Sequence, residues 1–489
     1  MAKILISSNL GYDWLADLYA PLSVRSVTSK KIVLSDNKGG TVTFEGSGFV
    51  NSKTGISAGT IATATFATSK GTLLSVTGGK FDAKALSANS SKFTSLTDLL
   101  TGLTAGNDQI TGSTAGDGII IGQNAGNDTI LAGKGDDFIK GSAGNNTIDG
   151  GIGFDTLSYD PFTTPSGTTK KGITADLSKG TVKNPWGGLD TFKNIEEVRG
   201  TNEKDVIQGG SKDDWLTGLK GADTLSGGAG TDVVNYASDF DLGGKKGIVA
   251  NLLTGKIVDG FGTVDLVSKV EDIQGTRFAD QFTGNKADNL FRGLAGKDSY
   301  DGGDGNDALS FRGIGGDGQG HGATVNLRLT TGQVLDDGYG NKETAKNIES
   351  LEGSGFADNL TLGAKVGGYV WGDGGNDRLV AGGGYNWLGG GEGADRFVFL
   401  SAKDSRTGSG STDRIDDFSR SQGDKIDLSA IGDLVYLTGG KHSGHGGSVV
   451  SLVKGADTIV SADVNGDGVS DFEITLTGSK TLVAGDFIL

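Results

Sequence analysis

Cysteine is absent from the 489 residues, which removes disulfides, thiolate metal sites and cysteine nucleophiles together. Proline occurs only 4 times, too seldom for a collagen-like chain or a proline-rich linker. No run of about 18 apolar residues occurs, so no segment reads as a membrane-spanning helix. The opening, Met1-Ala-Lys-Ile-Leu-Ile6, is a short apolar burst with Asp13 and Asp17 soon after. It lacks the apolar stretch and small-residue cleavage site of a signal peptide, so use of the general secretory route is not expected. Histidine occurs 3 times and never as His-Glu-x-x-His, which removes the usual zinc-protease signature. Positive charge is also short: Lys and Arg number 44 against 60 Asp and Glu, a net charge of −16. Such a surface repels phosphate backbones and anionic headgroups and suits cations, so nucleic acid is not an expected partner.

What the chain has in excess is glycine, 88 of 489 residues, more than double the usual share of about 7%. Hydrophobic content of 35% and aromatic content of 7% are lean for one packed core. Phe, Ile, Leu and Val nevertheless recur along the whole length, which argues against disorder. The glycine follows a nine-residue unit, Gly-Gly-x-Gly-x-Asp-x-apolar-x. Its acid position falls at Asp205, Asp214, Asp223 and Asp232, each nine apart. Further blocks carry Asp128, Asp137, Asn146 and Asp155, then Asp280, Asn289, Asp298 and Asp307. Earlier copies centre on Asp108 and Asp117, and a looser block runs through Asp358, Asp377, Asn386 and Asp395. Two places on, an apolar residue recurs, as in Ile130, Ile139, Ile148 and Leu157.

The first acids of the regular blocks, at 128, 205, 280 and 358, are 77, 75 and 78 apart. The spacers between blocks resemble one another. Each opens on an aromatic residue (Tyr159, Tyr236, Phe311) and carries an alternating strand. Each closes on apolar-Glu-x-apolar-x-Gly, at Ile195 to Gly200, Val270 to Gly275 and Ile348 to Gly353. Self-similarity at a fixed period is the mark of a solenoid. The expected architecture is all-β: a parallel β-roll in blocks 103–158, 200–235, 275–310 and 353–399, with β-rich spacers 159–199, 236–274 and 311–352. A small β-rich domain precedes it over 1–100, and a β-rich cap closes it over 391–489.

A nine-residue unit divides into a tight turn and a short strand, and two units make one coil. Stacked coils set the acids of one edge within a few ångströms of one another. A lone Gly-x-Asp is an ordinary turn signal. Many copies in phase, each with an apolar residue two places on, point instead to a cation between the turns. Ca²⁺ accepts 6–8 oxygen ligands, carboxylate and carbonyl mixed, whereas Mg²⁺ demands a tight octahedron and Zn²⁺ prefers the N or S ligands that the repeats do not offer. The Asn positions supply neutral ligands and are expected to make weaker or incomplete sites.

These blocks resemble the RTX, or haemolysin-type, calcium-binding nonapeptides of bacterial proteins exported by type I secretion. The resemblance implies a parallel β-roll with Ca²⁺ between stacked turns. Residues 391–489 carry Asp413-Arg-Ile-Asp-Asp-Phe418, Gly423-Asp-Lys-Ile-Asp-Leu-Ser429 and a terminal Asp486-Phe-Ile-Leu489. They resemble the domain that closes serralysin-type secreted metalloproteases, which implies an uncleaved C-terminal export signal, the type I secretion machinery as partner and an extracellular location. An edge strand is the plain alternative for those last residues.

The remaining motifs are weaker. Asp463-x-Asn-x-Asp-Gly-x-x-Asp471 copies the first half of an EF-hand loop, but Ile474 stands where the bidentate Glu belongs, and the same residues suit a hairpin. His442 and His445 lie in a Gly-Ser stretch that reads as a loop tip more readily than as a transition-metal site. Gly55 to Gly59 around Ser57 matches Gly-x-Ser-x-Gly, yet a strand pattern follows where a nucleophile elbow needs a helix. In residues 1–100, Lys30 to Ser35 and Thr41 to Phe44 flank a hairpin signal, and Ser95 to Leu100 suggest a short helix. The expected function is a non-catalytic, calcium-folded extracellular component of the bacterial surface or matrix, adhesive or self-assembling. The rivals are an enzyme acting on polysaccharide, or a glycan-binding protein using Trp186, Trp215, Trp371 and Trp387.

Overall fold

The computed structural model describes residues 3–6, 23–35, 41–52, 55–68, 71–82, 106–120, 126–160, 171–314, 320–365, 367–408, 412–478 and 480–489. The helix expected at Ser95 to Leu100 lies outside them. Among the described residues there is no α-helix, only strands and two single-turn 3-10 segments, and no helix is long and apolar enough to cross a membrane. The chain divides into two compact units, Met1–Val234 with Asp265–Val270, and Asn235–Val264 with Glu271–Leu489.

In the first unit, Ser23–Val27, Lys31–Ser35, Thr41–Ser52, Gly55–Thr68 and Gly71–Asp82 form an antiparallel meander. Ile32, Val42, Phe44 and Ile61 are its buried core. The Ser57 motif lies inside one of these strands, paired across a hairpin, with no elbow. Lys3–Ile6 pairs antiparallel with Gly71–Asp82 and parallel with Gln109–Thr111, so the meander's sheet runs on into the first rung of the roll.

The roll has two parallel faces. One carries Gln109–Thr111, Thr129–Lys134 and Thr147–Ile152. The other carries Gly118–Ile120, Phe138–Lys140, Thr156–Ser158, Glu197–Arg199 and Trp215–Thr217. Thr129 pairs with Thr147 and Phe138 with Thr156, 18 residues apart, which is two nine-residue units per coil. The apolar position of each unit points inward: Ile130, Ile139, Ile148 and Leu157 are at most 1% exposed. Burial of this kind is worth about 1.5–3 kcal/mol per side chain.

The stretch 159–199 supplies rungs of its own. Thr174–Asp176, Thr181–Lys183 and Leu189–Lys193 make an antiparallel meander on the first face. Its outer strands pair parallel with Val206–Gln208 on one side and Thr147–Ile152 on the other. The opposite face meanwhile continues unbroken from Thr156–Ser158 to Glu197–Arg199. A spacer therefore adds strands to one face and a single rung to the other, and the acid ladders pass through it.

The second unit repeats the plan with aromatic filling. Gln281–Thr283, Ser299–Asp301 and Thr344–Lys346 stack on one face, and Asp272–Gln274, Leu290–Arg292, Ala308–Ser310 and Ser350–Glu352 on the other. Phe282 and Tyr300 stack at 5.1 Å between ring centres, with Phe291 at 5.5 Å from Phe282. Beyond them, Asn359–Thr361, Arg378–Val380, Arg396–Val398 and Lys425–Asp427 form a parallel ladder that takes Phe487–Ile488 as its last strand. An antiparallel hairpin of Gly447–Lys454 and Asp457–Asp463, with Phe472–Leu476, closes the other face through Asp413–Ile415. The chain's last residues are thus an edge strand, anchored by Arg420 on Asp486 and by Tyr436 stacked on Phe487 at 5.0 Å.

Candidate metal centres

After the first member of each ladder, every acid or amide of the repeat accepts a hydrogen bond from the backbone N–H of the member before it. The N–H of Asp117 donates to Asp137 Oδ1 at 2.6 Å, that of Asp137 to Asp155 Oδ1 at 2.9 Å, and that of Asp155 to Glu196 Oε2 at 3.0 Å. The opposite edge runs Asp108, Asp128, Asn146, Asp190 in the same way, at 2.9, 3.0 and 2.8 Å. Later ladders read Asp205, Asp223, Asp265, then Asp214, Asp232, Asp280, Asp298, Glu343, Asn289, Asp307, Glu349, and Asp358, Asp377, Asp395, Asp424. Asn386 donates its N–H to Asp413 Oδ1 at 2.8 Å. Every acid position read from the nine-residue period is buried and lies in one of these ladders.

One carboxylate oxygen is spent on the ladder. The second oxygen of Asp128, Asp137, Asp155, Asp307, Asp377 and Asp395 is buried and has no hydrogen-bond donor. A buried charged oxygen in that state is costly unless a cation meets it. The charge cost shows directly: burial pushes Asp137 up to about 7, Asp377 to about 8 and Asp155, Asp307 and Asp395 to about 6, with neighbouring carboxylates adding to it. Asp298 is driven up more strongly, by burial and by the Glu343 carboxylate beside it.

In the turns of Asp155, Asp307, Asp377 and Asp395 the space beside these oxygens exists because the first residue is glycine. A Cβ at Gly150 would lie 1.9 Å from the Asn194 carbonyl oxygen and 2.5 Å from Asp155 Oδ2. At Gly302 the same clash would involve the Asn347 carbonyl and Asp307 Oδ2, and at Gly372 it would involve Asp377 Oδ2 and the Gly390 carbonyl. Among the described residues no group of three or more His, Cys, Asp or Glu side chains converges. The donors are single carboxylates joined by backbone carbonyls from the neighbouring coil. That all-oxygen, mixed set fits a hard, flexible cation such as Ca²⁺. Gly150→Ala is expected to cost about 1–3 kcal/mol from overpacking and to weaken calcium binding, measured by urea unfolding at fixed Ca²⁺ and by calorimetric titration.

Several acids of the ladders escaped the nine-residue period: Asp190, Asp265, Glu343, Asp413 and Asp424, together with Glu196 and Glu349. A signal was present, because the first five stand two places before a buried apolar residue, as in Asp190-Thr-Phe192 and Asp424-Lys-Ile426. The Asn positions behave differently from the acids. Asn146 Nδ2 donates to Asp190 Oδ1 at 2.8 Å and Asn289 Nδ2 to the Glu271 carbonyl at 2.8 Å.

The other singled-out groups are engaged elsewhere. Asp463 receives the N–H groups of Gly466, Asp467 and Gly468 within a hairpin turn, the geometry of the hairpin alternative. His442 is hydrogen-bonded to the hydroxyls of Ser448, Ser461 and Ser470 at 3.0 to 3.2 Å. Trp371 packs over Gly389 and Trp215 edge-on to Phe154, while Trp387 is 46% exposed.

Stacked coils, paired acid ladders and an all-oxygen donor set define a calcium-binding β-roll. Residues 123–157, 199–234 and 274–309 match the RTX calcium-binding nonapeptide repeat, and residues 299–489 match the Peptidase M10 serralysin C terminal family. The chain therefore carries RTX repeats, which bind Ca²⁺ at multiple sites, and a serralysin-type C-terminal domain, the combination of a type I secreted, extracellular protein. The serralysin match begins at 299, well before the change of character at 391, and takes in the fourth block. No curated protein matches the chain. Among solved structures, it is similar to the AlgE6R3 subunit of the Azotobacter vinelandii mannuronan C5-epimerase, at 34% identity over 29% of this chain and 72% of that one, with a TM-score of 0.20. It is also similar to the AlgE6R2 subunit of that enzyme, at 26% identity over 37% of this chain and 90% of that one, with a TM-score of 0.21.

Proposed function

We propose that this chain is a non-catalytic extracellular scaffold of the bacterial surface or matrix, which folds on Ca²⁺ after export and then associates with further copies of itself. The observation that carries the calcium half is the set of buried carboxylate oxygens without donors in register along the ladders. Asp137, Asp155, Asp307, Asp377 and Asp395 would hold the ions with carbonyls of adjacent coils. Bound Ca²⁺ supplies the positive charge that lets neighbouring acids stay ionised. The residues themselves position the coils: each Oδ1 clamps the previous backbone, and the small first residue of the turn, glycine in four of the five and Ala132 in the fifth, leaves room for the ion.

Support for self-association comes from the outer face of the first unit. Thr174, Val206, Thr224 and Leu266 lie side by side on successive strands, and Leu266 and Val206 are 50% and 39% exposed. A flat row of β-branched and aliphatic side chains suits a second copy of the same face. A second reading rests on the exposed Tyr385 and Trp387, whose rings lie 6.3 Å apart and could stack on a sugar.

Circular dichroism with light scattering through a Ca²⁺ titration tests the proposal. The β signal and the scattering are expected to rise together and to reverse with EGTA. Folding without any growth in size would overturn the scaffold half, and breakdown of a polysaccharide by the purified chain would overturn the non-catalytic half. Retention on immobilised polysaccharide that Trp387→Ala abolishes would favour the glycan reading instead.

A further inference from the structure

The repeat turns take two backbone forms, separated by the residue that follows the first position. In the open form this residue has positive φ: Gly133 at 120°, Gly151 at 111°, Gly228 at 125°, Gly303 at 105° and Gly391 at 86°. Leu219 at 67°, Leu294 at 64° and Asp373 at 73° take the same conformation without being glycine, at a cost of about 1–2 kcal/mol each. In the closed form the residue is absent from the left-handed region, and its N–H donates to the side chain of the turn's own acid or amide. Ser113 donates to Asp117 at 2.6 Å, Thr201 to Asp205 at 2.7 Å and Gly210 to Asp214 at 2.6 Å. Thr276 donates to Asp280 at 2.8 Å, Asn285 to Asn289 at 2.9 Å and Ser354 to Asp358 at 2.6 Å.

Hydroxyls reinforce the closed form. Thr201, Thr276 and Ser354 each donate Oγ to the same carboxylate, at 3.1, 3.0 and 3.1 Å. In two further closed turns the side-chain amide is the donor: Asn146 Nδ2 reaches the Ser142 carbonyl at 3.3 Å, and Asn386 Nδ2 reaches that of Gly382 at 3.3 Å. Positive φ swings the corresponding N–H away from the acid. The oxygens of Asp137, Asp155, Asp307, Asp377 and Asp395 that have no donor all belong to open turns, and these residues are at most 2% exposed.

The two forms are ordered along the ladders. Asp117 is closed, and Asp137 and Asp155 above it are open. Asp205 is followed by Asp223, Asp214 by Asp232, Asp280 by Asp298, Asn289 by Asp307, and Asp358 by Asp377 and Asp395, closed before open each time.

We propose that only open turns hold Ca²⁺, one ion per turn against the following coil, and that closed turns are metal-free steps in which an N–H, hydroxyl or amide stands where the cation would. The proposal rests on the calcium reading above and divides its sites. The ladders that start at Asp117, Asp205, Asp214, Asp280, Asn289 and Asp358 then each begin on a turn that the chain itself completes, with calcium added to that edge. In the Asp108 ladder, by contrast, the closed turn of Asn146 stands third.

Native mass spectrometry of the intact chain in calcium acetate tests the division. Eight described turns are open, in one of which the Tyr300 hydroxyl donates to Asp298 Oδ2 at 3.2 Å. The turns of Asp108 and Asp128 are the two whose second residue lies outside the described residues, so a count of seven to ten ions is expected. A count outside that range overturns the division. Asp155→Asn and Asp377→Asn are each expected to lose one ion, whereas Asp205→Asn and Asp280→Asn lose none. Equal losses from both pairs would also overturn it. A wild-type chain that holds no calcium would instead remove the calcium reading itself.

Discussion

Excess EGTA is expected to abolish most of the parallel-sheet signal of residues 106–489, and millimolar Ca²⁺ to restore it. The magnitude follows from the ladders. Asp137 and Asp155 occupy one edge of one unit, Asp377 and Asp395 one ladder of the other, all buried with an oxygen lacking a donor. An uncompensated buried carboxylate costs several kcal/mol, and a whole domain is stable by only about 5–15 kcal/mol. Loss of two or three cations per unit is therefore comparable with the whole net stability of a domain. Put as linkage, each site held at a hundredfold excess over its Kd adds about 2.7 kcal/mol. The meander of residues 23–82 has a core of its own in Ile32, Val42, Phe44 and Ile61 and no repeat turn, so its antiparallel signal is expected to persist in EGTA. Far-ultraviolet circular dichroism and thermal melts with and without chelator measure both. An unchanged spectrum and melting temperature in EGTA would show that the ladders are stable without metal.

Much of this architecture is legible from spacing alone, and the reason is mechanical. With two nine-residue units per coil, an acid and the apolar residue two places on must each recur at one edge and on one inner face. Ile207, Leu216, Leu225 and Val234, read from the period, are all at most 1% exposed. Spacing fails where a coil lengthens. Asn146 and its ladder partner Asp190 are 44 residues apart, because the strands Thr174–Asp176 and Thr181–Lys183 are inserted between them. The stretch reads as a β-rich spacer with one alternating strand, and no nine-residue spacing marks Asp190 as a ladder acid. Glu196 and Glu349 were visible as the closing signature of the spacers, but not as ladder acids, since a longer side chain had to reach the N–H of Asp155 and Asp307. The open and closed turns are legible only in part. Thr201 and Ser354 announce a closed turn by their hydroxyls, whereas nothing in the residue type of Leu219 or Leu294 foretells positive φ. There the stacking of neighbouring coils overrides local preference.

Without calcium, the chain is expected to be more ordered near pH 4.5 than near pH 8, the reverse of ordinary acid denaturation. Burial raises the folded-state values of Asp128, Asp155, Asp307 and Asp395 to about 6, Asp137 and Asp205 to about 7, and Asp377 to about 8, against about 3.9 for an unfolded Asp. The folded chain thus binds more protons than the unfolded one between about pH 4 and 8, and stability falls as pH rises across that window. The stabilisation is complete below the unfolded value and is lost as each folded value is passed. A proton does for these oxygens what the cation does, by removing the charge. The two must then compete: lowering the pH from 8 to 6 reduces the ionised fraction of a group titrating at 7 by about tenfold, so the calcium midpoint is expected to rise by about that factor per site. Circular dichroism in EGTA from pH 4 to 8, and calcium titrations at pH 6, 7 and 8, read the two effects separately. Apo order that grows towards pH 8, or a calcium midpoint indifferent to pH, would mean that the buried carboxylates of Asp137 and Asp377 are not what the metal neutralises.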